Sequence, residues 1–168
     1  MLAGKIVVDA GANIGNHSIF FSKVCGAGQC HAFEPNSAAI AILKRNIAEN
    51  ELENVVVHRC GLSDREGFLR LESVDASNLG GARFVNSDAG TVPAVTLDSL
   101  GIERVDFLKI DVEGMGPNVL RGAAATIARD HPAIMIEMFP DEVIATTLAL
   151  KSLGYDRFHR LGDDNVLA

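Results

Sequence analysis

The stretch KIVVDAGANIG, residues 5–15, joins an apolar run to a turn that contains two glycines. The unbroken β-branched residues of this run are typical of a strand that is buried on both faces of a parallel sheet. Residues 16–24 have the pattern of a helix, and the glycines at 11 and 15 allow a tight turn that a ligand can approach closely. The stretch therefore predicts a strand, a turn with a ligand site, and a helix.

The rest of the chain continues this alternation of strand-length apolar runs with helix-length segments. We predict helices over residues 37–49, 117–129 and 141–153. We predict buried strands over residues 5–10, 30–33, 55–58, 106–112 and 133–138, and shorter strands over 67–71, 92–95, 155–161 and 166–168. This pattern predicts one α/β domain, residues 1–168, with a mostly parallel sheet and helices on both faces. Such folds bind ligands just outside the carboxyl ends of the strands.

One polar stretch, residues 75–90, contains glycine and has no regular period. We predict that this stretch forms a long loop. Because long loops in compact domains often carry function, we expect it to lie over or beside the pocket of the substrate.

Three nucleotide-binding interpretations compete for the turn after the first strand. A phosphate loop of the ATPase type requires Lys and then Ser or Thr after its last glycine, whereas Asn16 and His17 follow here. The dinucleotide fingerprint requires Gly-x-Gly-x-x-Gly, and only Gly11 and Gly15 are present, which disfavours an NAD-dependent enzyme. The carboxylate of Asp9 would repel a diphosphate but attract the ammonium and sulfonium of S-adenosylmethionine. The turn therefore favours S-adenosylmethionine as the cofactor.

An acidic residue after the second strand supports the same interpretation. Glu34 lies 19 residues after Gly15, close to the offset at which a carboxylate accepts hydrogen bonds from ribose hydroxyls in nucleotide-binding α/β folds. Gly61 and Leu62 follow the third strand and are placed to border an adenine ring, with Ser63 or Asp64 at its polar edge; an ordinary turn is the alternative there.

Four segments together resemble the FkbM family of methyltransferases: VVDAGANIG at 7–15, FEP at 33–35, TLDSL at 96–100 and LKIDVEG at 108–114. The resemblance covers nearly the whole chain. It implies a class I methyltransferase fold, which is Rossmann-like, and O-methylation of hydroxyls on natural products or sugars. With the residues beside the motifs, the predicted cofactor contacts are Asp9, Gly11, Ala12, Asn13, Gly15, Glu34, Pro35, Gly61, Leu62 and Asp111.

Methyl transfer to an alcohol requires alignment of the reactants and a base for the hydroxyl proton. The candidate catalytic residues are Asp111, Glu113 and Glu137, with His17 as a further candidate base. Glu113 could equally compensate the N-terminal charge of the next helix, and Glu137 could be an exposed strand end. Lys109 shares a strand face with Asp111, so it is either buried against that carboxylate or extended to the edge. The three acids also offer oxygen ligands to Mg²⁺, which is a secondary cofactor prediction.

Two departures from the family pattern support an alternative function. Only residues 1–4 precede the first strand, and Gly116 stands where the family places a second acid. The alternative is a domain that binds the cofactor but is catalytically weak or incomplete and needs a partner. A dimer contact of two copies beside the bare first strand is a related expectation.

Charge and composition limit the partners. The formal net charge is −7 and no run of Lys and Arg is present, which disfavours nucleic acid and an RNA methyltransferase. No apolar stretch approaches the roughly 20 residues that span a bilayer, and no signal peptide is recognisable. Three cysteines without Cys-x-x-Cys spacing are typical of a reducing compartment. We therefore expect a cytoplasmic protein that acts on a small molecule or sugar.

Overall fold

The computed structural model describes residues 2–75, 78–162 and 164–168. The strands in chain order are β1 (Ile6–Ala10), β2 (Gln29–Phe33), β3 (Val55–His58), β4 (Gly61–Leu62), β5 (Gly67–Asp75), β6 (Asn78–Asn86), β7 (Val92–Val95), β8 (Phe107–Ile110), β9 (Ala133–Glu137), β10 (His159–Arg160) and β11 (Asn165–Leu167). The helices are α1 (Asn16–Ile19), α2 (Ser37–Glu49), α3 (Gly116–Gly122), α4 (Ala124–Asp130) and α5 (Val143–Ser152).

Seven strands form the main sheet in the order β10-β11-β9-β8-β1-β2-β3. Strands β9, β8, β1, β2 and β3 are parallel, whereas β11 and β10 run antiparallel to their neighbours. The chain builds the sheet outward from β1 to β3 and then returns to add β8 on the other side of β1. This reversal leaves a crevice at the carboxyl ends of β1 and β8, where open α/β sheets bind ligands.

Helices cover both faces of the main sheet, as the sequence predicted. On one face, Phe21 packs against β1 and β2, and Leu43 of α2 packs against Ala32. On the other face, Leu120 of α3 and Leu150 of α5 belong to the largest buried cluster, together with the apolar residues of β8 and β9. The three clusters are mostly aliphatic, and their other buried members include phenylalanine, Met138, Tyr155 and Cys30. The α/β fold with a mostly parallel sheet is therefore confirmed.

A second, small sheet replaces the predicted loop at residues 75–90. Its order is β4-β7-β5-β6, in which β5 and β6 form an antiparallel hairpin. The prediction of a loop was wrong because β6 has little β-propensity of its own; its register is set by pairing with β5, which contains two irregularities. Residues 76 and 77, within the predicted loop, lie outside the described residues.

Other elements also differ from their predicted extents. The predicted helix over 117–129 is two helices, because Ala123 has φ −110° and ψ 7° and α4 begins anew, with both Asp98 oxygens accepting hydrogen bonds from its first N–H groups. The helix predicted over 16–24 is α1 followed by a π-helical turn at Phe20–Val24. The strand predicted over 155–161 is only β10. None of the helices in the described ranges is long and apolar enough to cross a membrane.

Candidate active site

A cleft opens where β1, β2, β8 and β9 end, beside the reversal in strand order. One side comes from the turn after β1 and the ends of β2 and β4: Gly11, Asn13, Phe33, Glu34, Pro35, Gly61 and Leu62. The other side comes from the ends of β8 and β9, the start of α3 and the small sheet: Leu69, Ala82, Phe84, Asp111, Val112, Glu113, Met115 and Glu137. The cleft therefore brings together the predicted site residues except Asp9, Ala12 and Gly15.

The turn after β1 is held by backbone contacts on two sides. The N–H groups of Gly11 and Ala12 both donate to the Phe33 carbonyl, at 3.0 and 2.9 Å. Gly11 has φ 79°, and a Cβ there would overlap the Asp111 carbonyl oxygen, so only glycine fits. The turn thus lies directly against the end of β8.

Glu34 is a buried carboxylate at the edge of the cleft, 6% exposed. Its Oε2 accepts a hydrogen bond from the Asn13 N–H and its Oε1 accepts one from the Asn36 N–H, each at 2.7 Å. Burial raises the pKa of Glu34, while the two backbone N–H groups oppose that rise. Each oxygen keeps a free lone pair, so Glu34 is oriented to accept further hydrogen bonds from a hydroxylated ligand.

Asp9, Ala12 and Gly15, which the sequence predicted as cofactor contacts, do not lie on the cleft wall. Ala12 is buried with Leu43 beneath α2. Gly15 has φ 96° and precedes α1, where a Cβ would press on the Leu43 side chain. Asp9 is fully buried, and its Oδ2 accepts a hydrogen bond from Ser18 Oγ at 2.6 Å. Asp9 points inward because it lies on the face of β1 that α1 covers, so these three residues support the turn from behind.

Lys109 of β8 connects the turn to the end of its own strand. Its Nζ lies 2.9 Å from Asp9 Oδ1 and 3.1 Å from Asp111 Oδ2, and it donates to the Gly11 carbonyl at 3.0 Å. Burial acts to lower the pKa of Lys109, but the two carboxylates raise it above its ordinary value. Of the two arrangements left open by the sequence, the structure has the buried one, and Lys109 is charged.

Asp111 and Glu137, hereafter the carboxyl pair, are hydrogen-bonded to each other at the ends of β8 and β9. Burial and the neighbouring Asp111 raise the pKa of Glu137 to about 8. Burial also acts to raise the pKa of Asp111, but Lys109 and the hydrogen bond from Glu137 bring it below its ordinary value. Near neutral pH, the pair therefore holds one proton, and that proton is on Glu137.

Glu113 lies after β8 at the outer part of the cleft. Burial and the charge of Asp111 raise the pKa of Glu113, and Arg83 opposes that rise. Arg83 belongs to β6, and its guanidinium lies so close over Gly114 that a Cβ there would come within 2.7 Å. Its Nε also lies 3.3 Å from the Glu72 carboxylate. The small sheet therefore brings a cation to the entrance of the cleft.

The three carboxylates do not form the magnesium site that the sequence predicted. Within residues 2–75, 78–162 and 164–168, no group of three or more His, Cys, Asp or Glu side chains is placed to hold a metal ion. Asp111 is already paired with Lys109, and Glu137 carries the shared proton. His17, the further candidate base, lies off the cleft wall and stacks on Phe21 at 5.8 Å between ring centroids.

The side of the cleft near β2 and β4 is apolar and contains Phe33, Pro35 and Leu62. A Cβ at Gly61 would overlap Leu69 Cδ1, so a larger residue there would displace the end of the Leu69 side chain. Ser63 and Asp64 do not face the cleft as expected, because Ser63 Oγ donates to Asn86 Oδ1 at 2.9 Å and Asp64 accepts a hydrogen bond from the Asn86 side chain.

The small sheet supplies a wall that the sequence analysis missed. Leu69, Phe84 and Met115 form one buried cluster with Ala94, and Ala82 packs against it. The alternation of Ala82, Arg83 and Phe84 was the available signal, but it ends at Val85 and the glycines before it obscured the strand.

The groups in the cleft fit a cationic nucleoside that lacks phosphate. The apolar side suits a base, Glu34 suits ribose hydroxyls, and the ionised Asp111 suits a nearby positive charge. Asn13 Oδ1 is buried without a hydrogen-bond partner among the described residues, which is rare unless a ligand supplies the donor. Lys109 is sequestered by two carboxylates and does not serve a phosphate. S-adenosylmethionine has this combination of groups.

The sheet order, the glycine turn and the carboxylate after the second strand define a class I methyltransferase fold and site. The sequence model of the Methyltransferase FkbM domain matches residues 9–157. The chain belongs to the FkbM family of methyltransferases.

Known relatives agree with this assignment. Methyltransferase sdnD of Sordaria araneosa is 30% identical over 71% of this chain and 61% of its own length. Methyltransferase FkbM from Methylobacillus flagellatus KT superposes with a TM-score of 0.69 at 21% identity, over 98% of this chain and 43% of that chain. SMU.1697c from Streptococcus mutans, solved in complex with SAH, has a TM-score of 0.61 at 14% identity, over 98% of this chain and 86% of that chain, and shows the fold alone. The chain thus spans about three fifths of the length of sdnD.

Proposed function

We propose that this chain binds S-adenosylmethionine in the cleft and methylates a hydroxyl oxygen of a small molecule or sugar. The observation that carries the proposal is the position of the carboxyl pair, Asp111 and Glu137, in the same cleft as Gly11 and Glu34. The pair would provide a base beside the proposed nucleoside site, which an alcohol acceptor requires.

Binding of the cofactor rests on groups with separate tasks. Glu34 would accept hydrogen bonds from the ribose hydroxyls, since both its oxygens are already oriented by backbone N–H groups. The backbone at Gly11 leaves room for the amino-acid part, and the Asn13 side-chain oxygen is available for a donor. When bound, S-adenosylmethionine supplies an electrophilic methyl group.

The carboxyl pair would remove the proton of the acceptor. The bound cofactor would supply the methyl group and keep the electrons of the broken bond, and the pair would take up the hydroxyl proton. Because a base is most effective when its pKa is near the working pH, the pKa of Glu137 at about 8 suits this role. The doubly ionised pair is the stronger base, so we expect methyl transfer to accelerate as the pH rises towards about 8.

The walls of the outer cleft favour an uncharged acceptor with one apolar face. Leu69, Ala82, Phe84 and Met115 form one wall. The carboxyl pair and Glu113 line the same part of the cleft; they can exchange hydrogen bonds with hydroxyls but would repel an anion. The overall charge of −7 likewise disfavours RNA.

A second candidate is a cofactor-binding domain whose acceptor site is completed by a partner. The comparison that bears on it is coverage: the chain spans 61% of sdnD and 43% of the FkbM structure. Gly116 does not favour it. A Cβ at Gly116 would lie 3.4 Å from Ile136 Cδ1 and 4.0 Å from Thr146 Oγ1, so an acid there would enter the packing behind the cleft.

The test is transfer of a labelled methyl group to a panel of polyols, sugars, amines and RNA. We expect transfer to a hydroxyl acceptor, and a loss of about 10²-fold or more in the Asp111→Asn/Glu137→Gln double variant. The exposed Glu53→Gln is the matched control. Transfer to RNA or to amines, or full activity of the double variant, would contradict the proposal. Cofactor binding without transfer would favour the second candidate.

A further inference from the structure

Lys109 is a buried cation whose three contacts join separate parts of the cleft. It is 2% exposed. Its Nζ contacts the fully buried Asp9 at 2.9 Å, the Gly11 carbonyl at 3.0 Å and Asp111 at 3.1 Å. The second contact fixes the turn for the cofactor, and the third fixes one member of the carboxyl pair. One ammonium group thus contacts both the cofactor turn and the carboxyl pair without lying on the cleft wall.

The carboxyl groups around Lys109 outnumber its single positive charge. Asp9, Asp111 and Glu137 are three carboxyl groups served by a single buried cation, and Asp111 is the one that contacts both Lys109 and Glu137. An opposite charge within about 4–6 Å favours the ionised form of a carboxyl group. The contact at 3.1 Å therefore favours ionisation of Asp111 over that of Glu137, which has no contact with Lys109 among the ion pairs of the described residues.

We propose that Lys109 is the positioning residue of the carboxyl pair: it holds Asp111 ionised and aimed into the cleft, so that the shared proton resides on Glu137. Asp9 and Asp111 share the same ammonium group, so the negative charge of Asp9 weakens the net electrostatic stabilisation that Lys109 gives to ionised Asp111. Asp9, which lies behind the turn, would then influence the ionisation of the carboxyl pair through Lys109. This inference rests on the proposed function for its catalytic meaning, but the location of the proton can be measured without turnover.

Other charged groups also face the pair and must be kept constant. Glu113 approaches from the loop after β8, Asp164 from the segment before β11, and His17 from α1. None of them contacts Lys109 Nζ in the described ion pairs, so variants at Asp9 and Lys109 leave these groups in place.

The experiment is a carboxyl-carbon NMR titration of the protein labelled with ¹³C-glutamate, with the Glu137 signal assigned by Glu137→Gln. The upper midpoint of the Glu137 signal reports loss of the last proton from the carboxyl pair, and two variants change the positive charge beside Asp111 in opposite directions. Asp9→Asn removes the carboxylate that competes with Asp111 for Lys109, so the Glu137 midpoint should shift to lower pH. Asp9→Asn/Lys109→Met removes the buried cation together with its buried partner, so the midpoint should shift to higher pH. Lys5→Met, at a surface ion pair with Asp106, is the control and should leave the midpoint unchanged.

Opposite shifts would support the positioning role, which a merely structural lysine would not produce. Midpoints that stay unchanged in both variants, or that move in the same direction, would overturn it. If the double variant fails to fold, as judged by circular dichroism, Asp9→Asn decides alone: a fall supports the proposal, and no change or a rise overturns it.

Measurements of methyl transfer distinguish a failure of this proposal from a failure of the proposed function. In an active enzyme, the pH midpoint of kcat should follow the NMR midpoint through the variant series, and kcat at pH 7 should fall about tenfold or more in the double variant. NMR midpoints that shift in opposite directions while methyl transfer is absent would refute the proposed function and leave the role of Lys109 intact.

Discussion

Glu34 shows how a single side chain can be prepared for a ligand before the ligand arrives. Two backbone N–H groups hold its oxygens, one from the turn after β1 and one from the N-terminus of α2. The carboxylate therefore binds in a fixed orientation and loses little side-chain entropy when a ribose is added.

The first prediction concerns Glu34→Gln. The amide would place an NH₂ group against one of two N–H donors, so the side chain would rotate or lose a hydrogen bond. We expect the affinity for S-adenosylhomocysteine to fall by about 10- to 100-fold, since hydrogen bonds to charged groups contribute about 1.5–3 kcal/mol. Calorimetric titration measures this, with Glu53→Gln as the exposed control. Equal affinities of the two variants would remove Glu34 from the site.

The second prediction concerns Glu137 and stability. The pKa of Glu137 rises from its ordinary 4.5 to about 8, so between those pH values the folded state binds more protons than the unfolded state. The free energy of unfolding should therefore fall as the pH rises from about 4.5 to about 8. Glu137→Gln removes this dependence, so the variant should gain stability relative to wild type as pH increases. Thermal melts across this range measure the difference; a gain that is larger at pH 5 than at pH 8 would contradict the assignment.

At the scale of elements, the site depends on the close approach of the β1 turn to the end of β8. The approach is possible because Gly11 has no Cβ, and Lys109 closes it with a hydrogen bond to the Gly11 carbonyl. Alanine substitutions at two glycines separate the cost of a positive φ from the cost of a clash between the β1 turn and the end of β8.

The third prediction compares Gly11→Ala with Gly101→Ala. Both glycines have positive φ, 79° and 62°, so both substitutions carry a backbone cost of about 1 kcal/mol. Only at Gly11 would the new Cβ overlap the backbone of Asp111, whereas Gly101 has open space around it. We expect Gly11→Ala to be the less stable variant and to lose cofactor binding, while Gly101→Ala binds normally. Normal binding by Gly11→Ala would show that the turn does not border the ligand.

The elements that the sequence predicted well are those with local signals. Helix α2 begins and ends where predicted, because Asn36 caps it and its apolar residues recur at helical spacing. The hairpin strand β6 was missed because its stability comes from pairing with β5. The break at Ala123 was also missed, because it depends on Asp98, which lies far away in sequence and caps α4.

At the scale of the whole molecule, the same distinction applies to the site. Parallel strands bring their carboxyl ends to one edge, so the sequence could predict that Gly11, Glu34, Asp111 and Glu137 meet. It could not predict that Asp9 turns inward to Lys109, since that depends on which face of β1 is covered by α1. Nor could it predict the wall from the small sheet, which requires the position of a hairpin across the cleft.

The charge of the molecule is consistent with its local chemistry. A formal charge of −7 and a cleft lined by four carboxyl groups both favour a cationic cofactor over a dinucleotide. The buried Lys109 does not alter this, because Asp9 and Asp111 neutralise it.

The most direct test of the account is calorimetric titration of the wild-type protein with S-adenosylmethionine, S-adenosylhomocysteine and NAD. We predict saturable binding of the first two at one site per chain and no binding of NAD, because four carboxyl groups line the cleft and the two nearby cations in the described part of the chain, Lys109 and Arg83, are already paired with carboxylates. Binding of NAD, with no binding of either S-adenosyl compound, would contradict it.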